Sequence, residues 1–572
     1  MTDSENKPLS RRNLLGLITT ASLGTTLLAA SSTAFGRESR IFGGGTRKKT
    51  LPDPDKNSGA GIYNIKDFGA VGDGKTLDTT ALQSAIDTCN RDKGGTVLVP
   101  SGVFVIGTVQ MKSNVTLHIS ATGTLLGTAD GRQYFADNAI PLSGDSTLRD
   151  GNVGLIFAVN AENFRIEGMG TIDGQGAQFR SPAPGIAPPA GISGSHRPYH
   201  LLFYQCKNIA VRDIFLKDSA FHSVRVIQCT YAKFEGLHIQ SRVIHNNDGF
   251  HFISSKYVHV SKCDIRTQDD ACALFGSCQF VTVSDSSFST RWSVFRFGGG
   301  IAENITITNC IIYETYGCPI KMHCSPGSRF ENILFSNLIM KDVTGPISVN
   351  LGPQRSANAG TTNRPPGIVR NISFSNIRAT VVKPVPLPDA EFPSAYRLGE
   401  LLSCIVLNSF DDQYLENISF NDVHVTYPGG GTAKQGALRD VPKVAGEYFE
   451  IGTPPAYALY ARNVRGLTLQ NVRFEKVLAD LRPSIIFDHV EDASAVGLGI
   501  QGQKESESLI RFIDSKDVLL SAVRVLSESA VFLEAEGPDS KNIKIEGGDL
   551  SKSKIPVTFH SGAVRQCVQL KE

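Results

Sequence analysis

Three aspartates are the residues in this chain best placed to do chemistry. Asp248 lies in the run His245-Asn246-Asn247-Asp248-Gly249-Phe250, and the run Gln268-Asp269-Asp270-Ala271 brings two more carboxylates 21 to 22 residues later. Carboxylates gathered in a small space repel one another, which raises the pKa of at least one and leaves an acid beside a base. Hydrolysis of a glycosidic bond needs that combination. A protonated carboxyl gives its proton to the leaving oxygen, and an ionised one activates water on the opposite face of the sugar, roughly 6.5–9.5 Å away in an inverting enzyme. Two other readings of the cluster stay open at this point: a calcium site, which also wants clustered oxygens, and turn aspartates facing solvent.

For aspartates so spaced to meet, the chain must return to the same place about every 22 residues, and a repeat of that kind is present. A small or polar residue, an Asn or its equivalent, then alternating apolar residues recur as Ser113-Asn114-Val115-Thr116-Leu117, Glu162-Asn163-Phe164-Arg165-Ile166 and Lys207-Asn208-Ile209-Ala210-Val211. The phrase returns as Lys256-Tyr257-Val258, Glu303-Asn304-Ile305, Arg370-Asn371-Ile372 and Lys541-Asn542-Ile543. Between positions 208, 231, 257, 280, 304 and 332 the steps are 23, 26, 23, 24 and 28. Short β-branched strands at this period predict one solenoid coil per repeat, hence an all-β, single-stranded right-handed parallel β-helix. Coils stack about 4.8 Å apart, which sets Asp248 directly above or diagonal to Asp269 and Asp270. Asn suits the repeat because it tolerates the left-handed conformation of a sharp turn, and stacked Asn side chains can bond from coil to coil. The strands of an immunoglobulin-like sandwich would not keep one register over so many units.

The elements around the repeat follow from the same logic. Leu82, Ala85, Ile86 and Cys89 have helical spacing within 79–91, predicting a short capping helix over the open first coil, with Asp78 as its N-cap. Pro/Gly-rich insertions at about 174–198, 351–368, 383–398 and 427–456 are expected to emerge on one side and wall a groove. Ser10-Arg11-Arg12 ahead of a moderately apolar stretch predicts a twin-arginine export signal over 1–36, followed by a linker over 37–60 and a catalytic β-helix over 61–572. No later stretch is apolar enough to span a bilayer. The balance of 57 Lys+Arg against 55 Asp+Glu gives no electrostatic reason to expect nucleic acid as a partner. Eleven cysteines without metal-site spacing read as buried, mostly reduced thiols, with room for one or two disulfides. A monomer is expected.

The chain resembles glycoside hydrolase family 28, the polygalacturonase family of pectin-lyase-like β-helices, over roughly residues 61 to 480. The resemblance rests on Tyr63-Asn64-Ile65-Lys66-Asp67-Phe68-Gly69-Ala70-Val71-Gly72-Asp73-Gly74 and Gly170-Thr171-Ile172-Asp173-Gly174 for the fold. For the activity it rests on Asn246-Asn247-Asp248 in place of the family's Asn-Thr-Asp and on Asp269-Asp270 as its Asp-Asp. It implies that Asp269 is the general acid, that Asp248 and Asp270 hold and deprotonate the water, and that no cofactor or metal is needed.

Two family motifs are altered. The Gly-His-Gly position reads Thr290-Arg291-Trp292-Ser293-Val294-Phe295-Arg296, without histidine, and Arg-Ile-Lys reads Pro319-Ile320-Lys321. In the family these basic residues serve the uronic carboxylate, so Asn246, Lys321, His323, Trp292 and Arg296 become the candidate substrate-binding residues. Strand alternation puts Trp292 and Arg296 on one face and Arg291 on the other, and only one set can face the groove. His222 and His251 are weaker candidates. The expected function is inverting hydrolysis of pectin or a related acidic polysaccharide. The alternatives are a β-helix polysaccharide lyase and a non-catalytic carbohydrate-binding β-helix.

Overall fold

A computed structural model describes residues 61–134, 153–180, 197–353, 364–387, 389–390, 398–446 and 448–571. The expected export signal (1–36) and linker (37–60) lie outside the described residues, as do parts of all four insertions.

The repeat folds as its period requires. Every strand pairing is parallel, and the register between coils reproduces the sequence steps: Lys207 beside Thr230, Thr230 beside Lys256, Lys256 beside Gln279, Gln279 beside Glu303, Glu303 beside Glu331. Each early coil contributes two strands to one wall, such as Lys207–Arg212 and Phe215–Lys217. A third strand goes to a 15-stranded parallel sheet that runs from Val109–Gln110 to Ser553–His560. From Ile301–Thr315 onward several paired strands merge into single bent ones. The architecture is the right-handed parallel β-helix.

Alternation decides what fills it. In Lys207–Arg212, Ile209 and Val211 point inward and are buried, while Asn208 and Arg212 face out. Aromatic rings repeat the register inside, as in the stack Phe335, Phe374, Phe420 with centroids 5.2 and 4.9 Å apart. At the turn Asn114, Asn163, Asn208, Asn304, Asn332, Asn371 and Asn417 all take positive φ between 53° and 64°. Their amides bond from coil to coil, Asn208 Nδ2 to Asn163 Oδ1 at 2.7 Å and Asn371 Nδ2 to Asn332 Oδ1 at 3.1 Å. On three intervening coils Tyr231, Tyr257 and Phe280 hold the same position and stack instead, 4.9 and 5.0 Å apart.

The helix Thr79–Arg91 buries Ala81, Leu82, Ala85, Ile86 and Cys89 against the first coil. Asp78 precedes it but makes no side-chain cap. Its carboxylate accepts the Val71 and Gly72 N–H groups of the preceding loop instead, at 2.7 and 3.0 Å. All eleven cysteines are buried and free, so the disulfides allowed for in the sequence do not form. No helix among the described residues is long and apolar enough to cross a membrane.

Candidate active site

The site lies on the outward face of the 15-stranded sheet, where the strands Val224–Ile227, Phe250–Ile253, Cys272–Phe275, Ser293–Gly298 and Cys318–Cys324 follow one another. Phe250 pairs with Cys272, so the same register carried back two and three residues sets Asp248 beside Asp270 and Asn247 beside Asp269. The bonds from Gly249 N to Asp270 O and from Asp269 N to Asn247 O fix this at 2.9 and 3.2 Å. Gly249 permits the close stacking, since a Cβ there would stand 2.4 Å from Ala271 O.

The turn that presents Asp248 is tied by Asn247. Its Oδ1 accepts the Val243 and Ile244 N–H groups at 3.0 and 2.9 Å, and its Nδ2 donates to Ser219 O and Phe221 O at 2.7 and 3.0 Å. Asn246 adopts the left-handed conformation (φ 58°) and brings its amide to 3.5 Å from Asp269 Oδ2. Thr267 on the coil of Asp269 and Thr290 on the coil after it donate their hydroxyls to Asp269 O at 2.8 and 2.6 Å. Asp269 Oδ1 accepts the Asp270 N–H at 2.9 Å, and Asp270 Oδ1 accepts the Ser293 N–H at 3.3 Å.

The surroundings of the carboxylates differ. Asp248 and Asp270 are buried, and Asp269 keeps part of its surface open. Burial, then the charge of Asp270, pushes Asp248 well above the usual carboxylate range, against the pull of Arg225, Arg296 and Arg197. Burial, then the charges of Asp248 and Asp270, pushes Asp269 up, against the pull of the Asp270 N–H and Lys321. Two imidazoles flank Asp248: His251 Nδ1 at 3.1 Å from Oδ2 and His222 Nε2 at 3.5 Å from Oδ1. The two rings stack face to face, 4.6 Å apart and 4° from parallel.

The remaining candidates fall into place along the strands. Arg225, His251, Ala273, Arg296 and Lys321 hold one outward position on five successive coils. His323 faces the same way two residues beyond Lys321, beside Gly298 on one coil and Asn350 on the next. The structure separates the two arginines between which the sequence could not choose. Arg291 is buried against Glu400, 3.1 Å away, whereas Arg296 acts on Asp248. Trp292 is partly exposed, with Lys321 Nζ 4.9 Å and Arg291 Cζ 5.1 Å from its ring centre. Sequence reasoning missed Arg225 and Arg197. For Arg225 a signal existed, because the steps 225, 251, 273, 296, 321 follow the coil period and four of the five residues are basic or imidazole.

Beyond His323, Asn350 and Asn408 stack on successive coils (Asn408 Nδ2 to Asn350 Oδ1, 3.1 Å), both buried, and the insertion after Tyr427 is tied to Asn408. Asn408 donates to Val444 O, and Arg462 donates to Val441 O and Pro442 O, at 2.7 to 2.9 Å.

The ligand atoms of His222, Asp248 and His251 lie within 4.8 Å of one another, close enough to hold a metal ion. The electrostatics argue against a cation there: Arg225, Arg296 and Arg197 all act on Asp248, and Arg225 Nη1 lies 3.1 Å from His222 Nδ1. What the arrangement offers is a buried carboxylate flanked by imidazole and guanidinium groups, beside a second, partly exposed carboxylate, both with raised pKa. That is the equipment of acid–base hydrolysis.

Comparison with known proteins bears on the same stretch. Residues 89–387, which include all three aspartates, match the family described as glycosyl hydrolases family 28. The chain is 23% identical over 337 residues to a polygalacturonase of Chamaecyparis obtusa, covering 57% of this chain and 63% of that protein, just under two thirds of it. It is 25% identical over 386 residues to polygalacturonase-2 of Solanum lycopersicum, covering 65% of this chain and 81% of that one. In structure it resembles an exopolygalacturonase from Thermotoga maritima at 19% identity, with a TM-score of 0.54 over 75% of this chain and 93% of the other. With more than half of its length matched, the carboxylate strands included, the chain belongs to glycosyl hydrolases family 28.

Proposed function

We propose that this chain hydrolyses glycosidic bonds of pectin or a related uronic-acid-containing polysaccharide, with inversion at the anomeric carbon. The observation that carries this is the contrast between Asp248 and Asp269. Asp248 faces two imidazoles and three guanidinium groups besides the carboxylate of Asp270, and Asp269 faces two carboxylates and one Lys. A proton shared among crowded carboxylates therefore rests on Asp269, which donates it to the leaving oxygen. Asp248 and Asp270 hold the water and take its proton. Lys321 and Arg296 supply positive charge for a uronic carboxylate, Asn246 orients the acid, and Trp292 and His323 line the subsites. The family's polygalacturonase relatives support the substrate class. The same reading has the enzyme exported by the twin-arginine segment over 1–36, with 37–60 as linker and 61–572 as catalytic domain, and acting as a monomer.

The test is a screen of polygalacturonate and related acidic polysaccharides for new reducing ends, with Asp269→Asn as control and proton NMR to read the anomer first released. Inverted product lost in Asp269→Asn is the expected result. Ultraviolet-absorbing product would point to a lyase, and binding without turnover to a carbohydrate-binding β-helix.

A further inference from the structure

His222 and His251 are on successive coils, and the assigned acid–base set does not use them. Their geometry fixes their protonation. Arg225 Nη1 lies 3.1 Å from His222 Nδ1, and a guanidinium has only hydrogens to offer, so Nδ1 is the acceptor. The single ring hydrogen of a neutral His222 is then on Nε2, the atom facing Asp248 Oδ1 at 3.5 Å. Burial, then His251 and the two arginines Arg225 and Arg197, keeps this imidazole neutral by holding its pKa well below the usual histidine range. On the other side His251 Nδ1 meets Asp248 Oδ2 at 3.1 Å, and when Asp248 is ionised, as its role in the base requires, the carboxylate has only lone pairs to offer and His251 donates. The stacked rings, 4.6 Å apart, thus present one N–H to each oxygen of the same carboxylate.

We propose that Arg225, His222 and His251 are positioning residues that orient the Asp248 carboxylate and favour its ionised form, against burial and the charge of Asp270, for water activation, with Arg225 acting through His222 by fixing its tautomer. This rests on Asp248 serving as part of the base. The groups facing Asp248 are Asp269, Asp270 and Arg296 from later coils, His222 and Arg225 from the coil before, Arg197 from the segment leading into Tyr199–Tyr204, and His251 from the strand that follows it. Donors to an ionised carboxylate favour that form, so removing one must raise the pH at which the base becomes active.

The experiment is the pH profile of kcat and KM on polygalacturonate for the full chain carrying His251→Phe, His251→Asn, His222→Phe, His222→Gln or Arg225→Met, with Asp248→Asn alongside. Asn places an amide N–H where His251 Nδ1 stands, and Gln places one where His222 Nε2 stands. The expected result is an acid limb of kcat moved up by about one pH unit in His251→Phe, His222→Phe and Arg225→Met, with KM within twofold. His251→Asn and His222→Gln return the limb toward its original place. A limb that stays put while kcat drops equally at every pH overturns the inference and leaves the acid–base assignment standing, provided Asp248→Asn is inactive. Wild-type turnover in Asp248→Asn overturns both. Activity lost to chelator and restored by zinc overturns it as well, since the triad would then be a metal site. Should a Phe variant fail to fold, the Gln and Asn forms paired with Arg225→Met give the same comparison.

Discussion

Lys321 Nζ, two coils beyond Asp269 and Asp270, stands 4.9 Å from the centre of the Trp292 ring. The ring holds the ammonium by a cation–π contact, commonly worth about 0.5–2 kcal/mol, and the ammonium lies close enough to Asp269 to pull its pKa down. Lys321→Met is expected to lower kcat/KM on polygalacturonate 10- to 100-fold, the order of about 1.5–3 kcal/mol for a charge-assisted hydrogen bond, chiefly through KM. Lys321→Arg restores only part, because a planar guanidinium does not fit where a compact ammonium sits against the indole. Steady-state kinetics decide the matter, and an unchanged KM in Lys321→Met would remove the residue from the substrate site.

Burial and mutual repulsion raise both Asp248 and Asp269 above their unfolded pKa, about 3.9. For a carboxylate raised in the folded state, the fold binds more protons than the unfolded chain, so stability falls as pH rises from the unfolded pKa through the folded one. Asp269→Asn carries no such cost. It is expected to melt several degrees above wild type at pH 7, with the difference shrinking toward zero near pH 4, while kcat falls by about 10²–10⁴-fold. Melting curves across that range measure it. A difference that is constant with pH would mean that Asp269 is not a strained acid.

The fold was legible because its physics is periodic. Each Asn that must turn left-handed, and each apolar residue that must point inward, recurs at the coil spacing, so Asn208 and Ile209 predict Asn304 and Ile305. The carboxylate set was legible for the same reason, since Asp248 and Asp270 are one coil apart. The partners of those carboxylates were not. Arg225 and Arg296 share a register position, but only the folded chain shows that Arg225 turns to His222. Arg291, one residue from Trp292, is claimed by Glu400, 109 residues away. Glu400 lies in the connection that follows an insertion, outside the repeat, where no period exists from which to read the contact. The Asp78 cap failed for a related reason: the loop at Val71 and Gly72 competes for the same carboxylate, and propensity alone does not see competitors.

Asn247 satisfies four buried backbone groups with one side chain. The family's threonine at this position has no amide with which to reach both pairs, so here the turn depends on the Asn itself. Asn247→Ala leaves Val243 N, Ile244 N, Ser219 O and Phe221 O to find other partners, at a cost of about 3 kcal/mol. Activity should fall further than stability, because Asp248 is the next residue. Chemical denaturation paired with kcat reports both. A variant that loses stability while retaining full kcat would show that Asp248 is placed without this turn.

Arg462 clamps the insertion after Tyr427. Its guanidinium donates to Val441 O at 2.7 Å and Pro442 O at 2.9 Å, and to Asn408 Oδ1 at 2.7 and 3.0 Å, while Asn408 also donates to Val444 O of the insertion. An insertion that limits access on this side of the carboxylates would favour attack near one end of a polymer, with products short from the first turnovers and viscosity falling slowly for each bond cut. Arg462→Met removes these bonds at a cost of about 3 kcal/mol, while the carboxylates, several coils away, keep their geometry. The expected variant still releases reducing ends but drops viscosity faster per bond, as longer chains thread past the loosened loop. Viscometry against reducing-end release makes the comparison, and identical ratios in the two proteins would show that the insertion does not limit access.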